Sequence, residues 1–294
     1  MSHDGQFGLT VIALIGSVFS PYYARARRKG LGDPFNFAAM NVALYGARGK
    51  RWAMTERGRH DLTRDDDTLR IGSSSMTWNA NGLTIDIDEV GVPVPKRIRG
   101  QIRLHPSAIQ PTAFALDDAG HHMWQPIAPL AAVDVHLTAP ELTWKGHGYF
   151  DRNTGNGPLE DTFQHWHWSR ASIAGSAKLF YDVTPRAGAP RQLALSVDGA
   201  GSARAIALPP PTVELPSTGW RIERATHSDA GSHARVISTL EDTPFYARSI
   251  VSSCIDGRPA VSMHESLNLD RFRSPIVQAM LPFRMPRRAR QSAG

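Results

Sequence analysis

A single cysteine, Cys254, among 294 residues excludes an intrachain disulfide, a CxxC redox pair and a zinc ribbon. Its position in the apolar run 249–255 marks it as a small buried hydrophobe. Long hydrophobic runs are missing as well. A membrane-crossing helix needs ~20 unbroken apolar residues, and the nearest stretch, 9–18, is short and contains Thr10 and Gly16. It also lacks a basic leader and a small-residue cleavage site, so no secretory signal is expected. Helical periodicity is scarce. Its best example is 268–281, where Leu269, Phe272, Ile276 and Met280 share one face. Nothing resembling a helix-turn-helix, a zinc finger or an aromatic RNA-binding strand accompanies the net charge of +6, which argues against nucleic acid as a partner.

Short strands and turns fill the rest. Leu83, Ile85 and Ile87 alternate with Thr84, Asp86 and Asp88; beyond a Gly-Val-Pro-Val-Pro turn, residues 97–104 alternate again. This pattern predicts a hairpin whose outer acids face Lys96, Arg97 and Arg99, and such neutralisation explains the acids better than a metal does. Further strands are expected at 9–19, 41–45, 133–137, 142–150, 163–168, 177–183, 192–197, 220–224, 235–240 and 260–267. The 25 glycines and 21 prolines supply turns between them. Regular short strands of this kind indicate barrels or sandwiches. The turn cluster 152–158 predicts a division into domains 1–157 and 158–294.

Several motifs have plain explanations. Gly46 to Arg51 lacks the spacing and the hydroxyl residue of a phosphate loop and reads as a turn. Asp65, Asp66 and Asp67 read as a solvated hairpin tip. On a strand, His165 and His167 fall on one face and Trp166 and Trp168 on the other. No third ligand at a recognisable spacing accompanies the histidines, so core or pocket packing is expected rather than a metal. The basic stretches 25–29 and 284–290 suit contact with an anionic membrane leaflet; a frayed terminus accounts for the second equally well.

Two triplets carry more chemistry. His122-Met-Trp124 and Tyr149-Phe-Asp151 each set two functional side chains at i and i+2, on one face of a strand. A shared interior would receive a carboxyl, an imidazole, a phenol and an indole, with His147 on the face of Tyr149 and Asp151. The competing reading makes Asp151 a turn-initiating residue ahead of Arg152-Asn-Thr-Gly155. Spacing alone leaves the two level.

Longer blocks add to this. Gly16-Ser-Val-Phe-Ser-Pro-Tyr-Tyr23, Asn41-Val-Ala-Leu-Tyr-Gly46, Arg51-Trp-Ala-Met-Thr-Glu-Arg-Gly58 and Gly146-His-Gly-Tyr-Phe-Asp151 closely resemble the carotenoid 1,2-hydratases (hydroxyneurosporene synthases) of phototrophic bacteria, over essentially the whole chain. The resemblance implies two tandem lipocalin-like antiparallel β-barrels with few helices. Many relatives carry an aromatic-rich strand ahead of the point corresponding to Met1, which makes this chain either a short form or one whose first barrel has lost its opening strand. It further implies a lyase without cofactor that adds water to the carbon 1–carbon 2 double bond of an acyclic carotenoid such as neurosporene or lycopene. The residues implied are Asp151 as acid, with His122, Trp124 and Tyr149. A polyene substrate implies a cytoplasmic protein held at the surface of the inner or photosynthetic membrane. The rival readings are an isomerase or pericyclase on the same scaffold and a carotenoid or lipid carrier.

Overall fold

The structure, a computed structural model, describes residues 1–46 and 49–288. Part of the turn expected at 46–51, and Arg290 of the basic tail, lie outside them. By internal contacts the chain forms two compact units. Residues 1–105 and 132–148, with those from 278 on, make the first; 106–131 and 149–277 make the second.

The first unit opens with an antiparallel meander of β1 (Phe7–Ile15), β2 (Ala38–Gly46) and β3 (Arg51–Arg57). Between β1 and β2 lies a helix that periodicity did not announce, α1 (Pro21–Arg28). Its start is nevertheless written in the sequence: Ser20 Oγ accepts from the Tyr23 N–H at 2.9 Å, and Pro21 fills the first helical position, where no N–H is needed. β4 (Leu62–Arg64), β5 (Thr68–Ile71), β6 (Ser74–Asn79), β7 (Gly82–Val90) and β8 (Arg97–Pro106) follow in consecutive order.

The expected hairpin is β7–β8, with Val90 opposite Arg97. Leu83, Ile85 and Ile87 are buried. Arg97 forks onto Asp88 with two contacts of 2.6 Å, whereas Asp86 accepts from the Gln101 amide. Gly100 has φ +151°, and a Cβ there would meet the His136 carbonyl at 2.3 Å. Only glycine lets β8 approach that backbone so closely. The aspartates at 65–67 form an exposed tip, where Asp65 Oδ1 accepts from the N–H groups of Asp67 and Thr68.

β8 is followed by β9 (Phe114–Ala115) and two long strands, β10 (His122–Ala139) and β11 (Glu141–Gly155), each contributing to both units. In the second unit a single turn, α2 (Leu159–Thr162), precedes β12 (Phe163–Ile173), β13 (Ser176–Pro185), β14 (Arg191–Val197) and β15 (Ala203–Ala205). The pair β16 (Thr212–Leu215) and β17 (Arg224–His227) comes next, then β18 (Arg235–Asp242), β19 (Tyr246–Ile255) and β20 (Arg258–Asn268). Seven of these make one sheet in the order β15-β14-β13-β12-β20-β19-β18.

Two expected elements differ. The strand at 220–224 is largely a turn, closed by the Arg221 N–H on the Thr218 carbonyl at 2.8 Å with Arg221 at φ +57°. The helix at 268–281 is broken into α3 (Leu269–Phe272) and α4 (Pro275–Met280). Pro275 has no N–H to continue α3, and its ring would clash with the preceding turn. Cys254 is half-buried rather than buried, its thiol 3.5 Å from Asp229 Oδ2. The described residues end in β21 (Arg287–Arg288), which pairs with β3 in parallel.

Candidate active site

Strand geometry assembles the site in the second unit. At the start of β10, burial alternates: His122 and Trp124 are buried, and Met123 between them is only half-buried. β11 runs on to Gly155, so Asp151 occupies a strand and not the turn that Arg152-Asn-Thr-Gly suggested. The i, i+2 spacing then brings Tyr149 and Asp151 to one indole. Trp124 Nε1 donates to Asp151 Oδ2 at 3.0 Å and lies 3.2 Å from Tyr149 Oη. The Tyr149 hydroxyl donates to the same Oδ2 at 3.1 Å. Three of the four expected residues therefore meet at one carboxyl oxygen.

Aromatic rings surround this group. Tyr149 packs on Trp168 with centroids 5.1 Å apart, and Trp124 packs on Tyr181 at 5.3 Å and on Phe114 at 5.9 Å. Trp166 adds an edge to Tyr181. Asp151 keeps some exposure as a residue, but its carboxyl is enclosed. Burial pushes its pKa up to about 6, against the pull of hydrogen bonds from Trp124, Tyr149 and Asn153. The Tyr149 and Tyr181 phenols are driven well above their ordinary value, chiefly by burial. Arg170 is buried too, its pKa lowered to about 10 by desolvation; it donates to the Pro129 carbonyl and Ser172 Oγ. The site thus combines an acid that holds its proton up to about pH 6 with π-faces that can attract a cation.

His122 shares the face of Trp124 but turns to other partners. Asp117 Oδ2 accepts from its backbone N–H at 2.7 Å and lies 3.1 Å from Nδ1. Nε2 is 3.3 Å from the Gly157 carbonyl, and the ring stands edge-on to Phe163. His147 is exposed on the first unit, its ring against His3 at 4.9 Å.

The sequence reading missed Asp117, Arg170, Tyr181 and Glu265. Arg170 and Tyr181 lie on strands whose own pattern carries no catalytic signal, and only pairing across strands brings them near Tyr149 and Trp124; Asp117 meets His122 within one turn, five residues ahead of it. The Trp face of β12 was legible. Trp166 and Trp168 face the site, while His167 lies on the other side, 2.9 Å from Ser266 Oγ and stacked on His264. Among the described residues no three His, Cys, Asp or Glu side chains converge as a metal site.

Solved structures share this architecture. An AttH protein from Nitrosomonas europaea superposes with a TM-score of 0.57 over 79% of this chain and 80% of that one, at 14% identity. CghA in complex with Sch210972 gives a TM-score of 0.50 over 79% of each chain, also at 14% identity. At such identity the likeness speaks for the fold, which is mainly β and lipocalin-like.

Residues 11–294 match the family described as carotenoid hydratase CrtC, and the chain belongs to that family of hydro-lyases. Among its relatives, the acyclic carotenoid 1,2-hydratase of Thiocapsa roseopersicina is 55% identical over 98% of this chain and 71% of its own length. The acyclic carotenoid 1,2-hydratases of Rubrivivax gelatinosus and Cereibacter sphaeroides are 45% and 42% identical. They cover 98% and 95% of this chain and 72% and 98% of their own lengths.

Proposed function

We propose that Asp151 is the acid of a carotenoid 1,2-hydratase that adds water to the terminal double bond of an acyclic carotenoid such as lycopene or neurosporene. The observation that carries this reading is the Asp151 carboxyl, raised to about 6 by burial among aromatic rings. An isolated trisubstituted alkene has no electron-withdrawing group, so water cannot attack it first. Protonation at carbon 2 comes first and leaves a tertiary cation at carbon 1, which water captures. This order is served by an acid that keeps its proton up to about pH 6, well above the ordinary carboxylate range.

The hydrogen bonds fit the same step. Oδ2 already accepts from both Trp124 and Tyr149, so the transferable proton belongs on Oδ1. Once it leaves, the two donors hold the new carboxylate, stabilising the charge that develops during transfer more than the acid before it. The indole and phenol faces add roughly 0.5–2 kcal/mol each toward the cation in a dry site. His122 belongs to the set as a positioning residue: its ring bridges Asp117 and the Gly157 carbonyl behind Trp124.

Incubation with lycopene in heavy-oxygen water should yield labelled tertiary alcohol. Asp151→Asn should abolish that product while carotenoid binding and fold persist; near-normal turnover would refute the assignment. A carrier would give no alcohol at all, and an isomerase would give unlabelled product.

A polyene substrate resides in a bilayer, and peripheral membrane contact follows for the enzyme. No helix among the described residues is long and apolar enough to cross a membrane. Support for surface contact comes from α1, where Arg25, Arg28 and Lys29 are exposed beside Leu31 at 70% and Phe35 at 38% exposure. The other basic stretch is less free than its sequence suggests. Arg287 is engaged by Glu56 at 2.6 Å, and Arg284 lies over the Trp52 ring. Neutralising Arg25, Arg28 and Lys29 should weaken partition to anionic vesicles by ~1 kcal/mol per charge. Unchanged partition would exclude α1 as the contact.

A further inference from the structure

A transverse row of side chains spans five strands of the seven-stranded sheet, on the face that packs against the acid. Register sets Glu241 of β18 opposite Arg248 of β19, and Arg248 opposite Glu265 of β20. Glu265 is opposite Trp168 of β12, and Trp168 opposite Tyr181 of β13. Directly opposed residues in an antiparallel sheet share a face, with Cβ atoms only ~5 Å apart. The acid assembly rests on the far half of this row, Tyr149 against Trp168 and Trp124 against Tyr181. The near half is ionic. Arg248, 3% exposed, places Nε and Nη2 on Glu265 Oε1 at 2.9 and 2.8 Å, and Nη1 on Glu241 Oε1 at 2.7 Å. One guanidinium is thus shared between two carboxyl groups next to the aromatic wall.

We infer that Glu265 is the group that accepts the proton of the captured water. This rests on the reading of Asp151 as acid. Protonation of carbon 2 breaks the Asp151 O–H bond and forms C–H. Water oxygen then bonds to carbon 1, and its O–H bond breaks as the proton passes to Glu265. Return of that proton to Asp151 through solvent restores both groups, and the net change is the addition of one water.

Other groups near the acid are poorly suited to the role. The Tyr149 and Tyr181 phenols keep their protons, and Arg170 has no acceptor. Both ring nitrogens of His122 face Asp117 and Gly157, and His167 lies on the opposite face. Glu265 has its Oε1 anchored by Arg248 and its side chain keeps 24% exposure. Its charge also reaches the acid, adding to burial in keeping Asp151 protonated.

The test uses the full chain with lycopene in vesicles. Glu265→Gln, which preserves shape and an oxygen for Arg248, should slow hydration by about 10²–10⁴-fold with carotenoid binding intact. Glu265→Ala opens space for a small carboxylate, and added formate should restore part of its rate where chloride at equal ionic strength does not. Glu265→Asp should remain faster than Glu265→Gln. Hydration within about threefold of the parent in Glu265→Gln would overturn the proposal. So would equal rates for the Asp and Gln variants, or a folded Glu265→Ala that binds carotenoid but ignores formate. Should Glu265→Ala not fold, the comparison of Asp with Gln decides alone. Turnover persisting in Asp151→Asn would instead refute the acid, a result independent of any Glu265 variant.

Discussion

Asp151 joins two properties that usually oppose each other: it is the acid of the proposed reaction and a liability to the fold. With its pKa raised to about 6, against ~3.9 when unfolded, the folded chain holds this proton over a range where the unfolded chain has released it. The contribution of this group to stability therefore falls as pH rises from about 4 to about 6, and the loss persists above that range. It amounts to on the order of 2–3 kcal/mol. Asp151→Asn should accordingly melt higher than the parent at pH 8, and the gap should close toward pH 4; a gap independent of pH would contradict this. Hydration should decline in parallel as pH climbs past about 6. Tyr149→Phe removes a donor that favours the carboxylate, so it should move that decline to higher pH in a pH–rate profile. A shift to lower pH would show that the phenol acts otherwise.

At the scale of the element, β10 and β11 depend on small residues to hold the site. A Cβ on Gly155 would come within 2.6 Å of His122 Cδ2, and the ring, wedged between Asp117 and Phe163, has little room to yield. Gly155→Ala should therefore displace His122 and cut turnover by as much as ~10²-fold with a stability loss of ~1–3 kcal/mol in urea. Unchanged turnover would separate His122 from catalysis. The strands themselves were legible, because alternation at 83–104 and the i, i+2 triplets read directly as side-chain faces. The break at Pro275 was equally available from composition, but the apolar spacing of Leu269, Phe272 and Ile276 masked it. Beyond the reach of the chain's local pattern was the row from Glu241 to Tyr181. Its two hairpin halves, 168–181 and 241–265, are far apart in sequence, and only register unites them. For the same reason Asp151 could not be told from a turn residue until β11 was seen to continue past it.

For the molecule as a whole, the segment 284–288 is built into the first unit. Arg287 reaches Glu56, which is 1% exposed, at 2.6 Å, and lies over the Phe37 ring. Burial raises the pKa of Glu56, and the guanidinium opposes that rise. Arg287→Ala leaves a buried carboxyl without its counter-ion and should cost about 3 kcal/mol in denaturant unfolding; a loss under ~0.5 kcal/mol would mean that the pair is dispensable. The same segment has a second role. In its sheet the order is β1-β2-β3-β21, and the Glu56 N–H donates to the Pro286 carbonyl at 3.0 Å. Removing residues from 284 onward would uncover the outer rim of β3 and present its unpaired peptide groups to a neighbouring molecule. Such a truncated protein should self-associate edge to edge, which sedimentation would reveal as concentration-dependent oligomers.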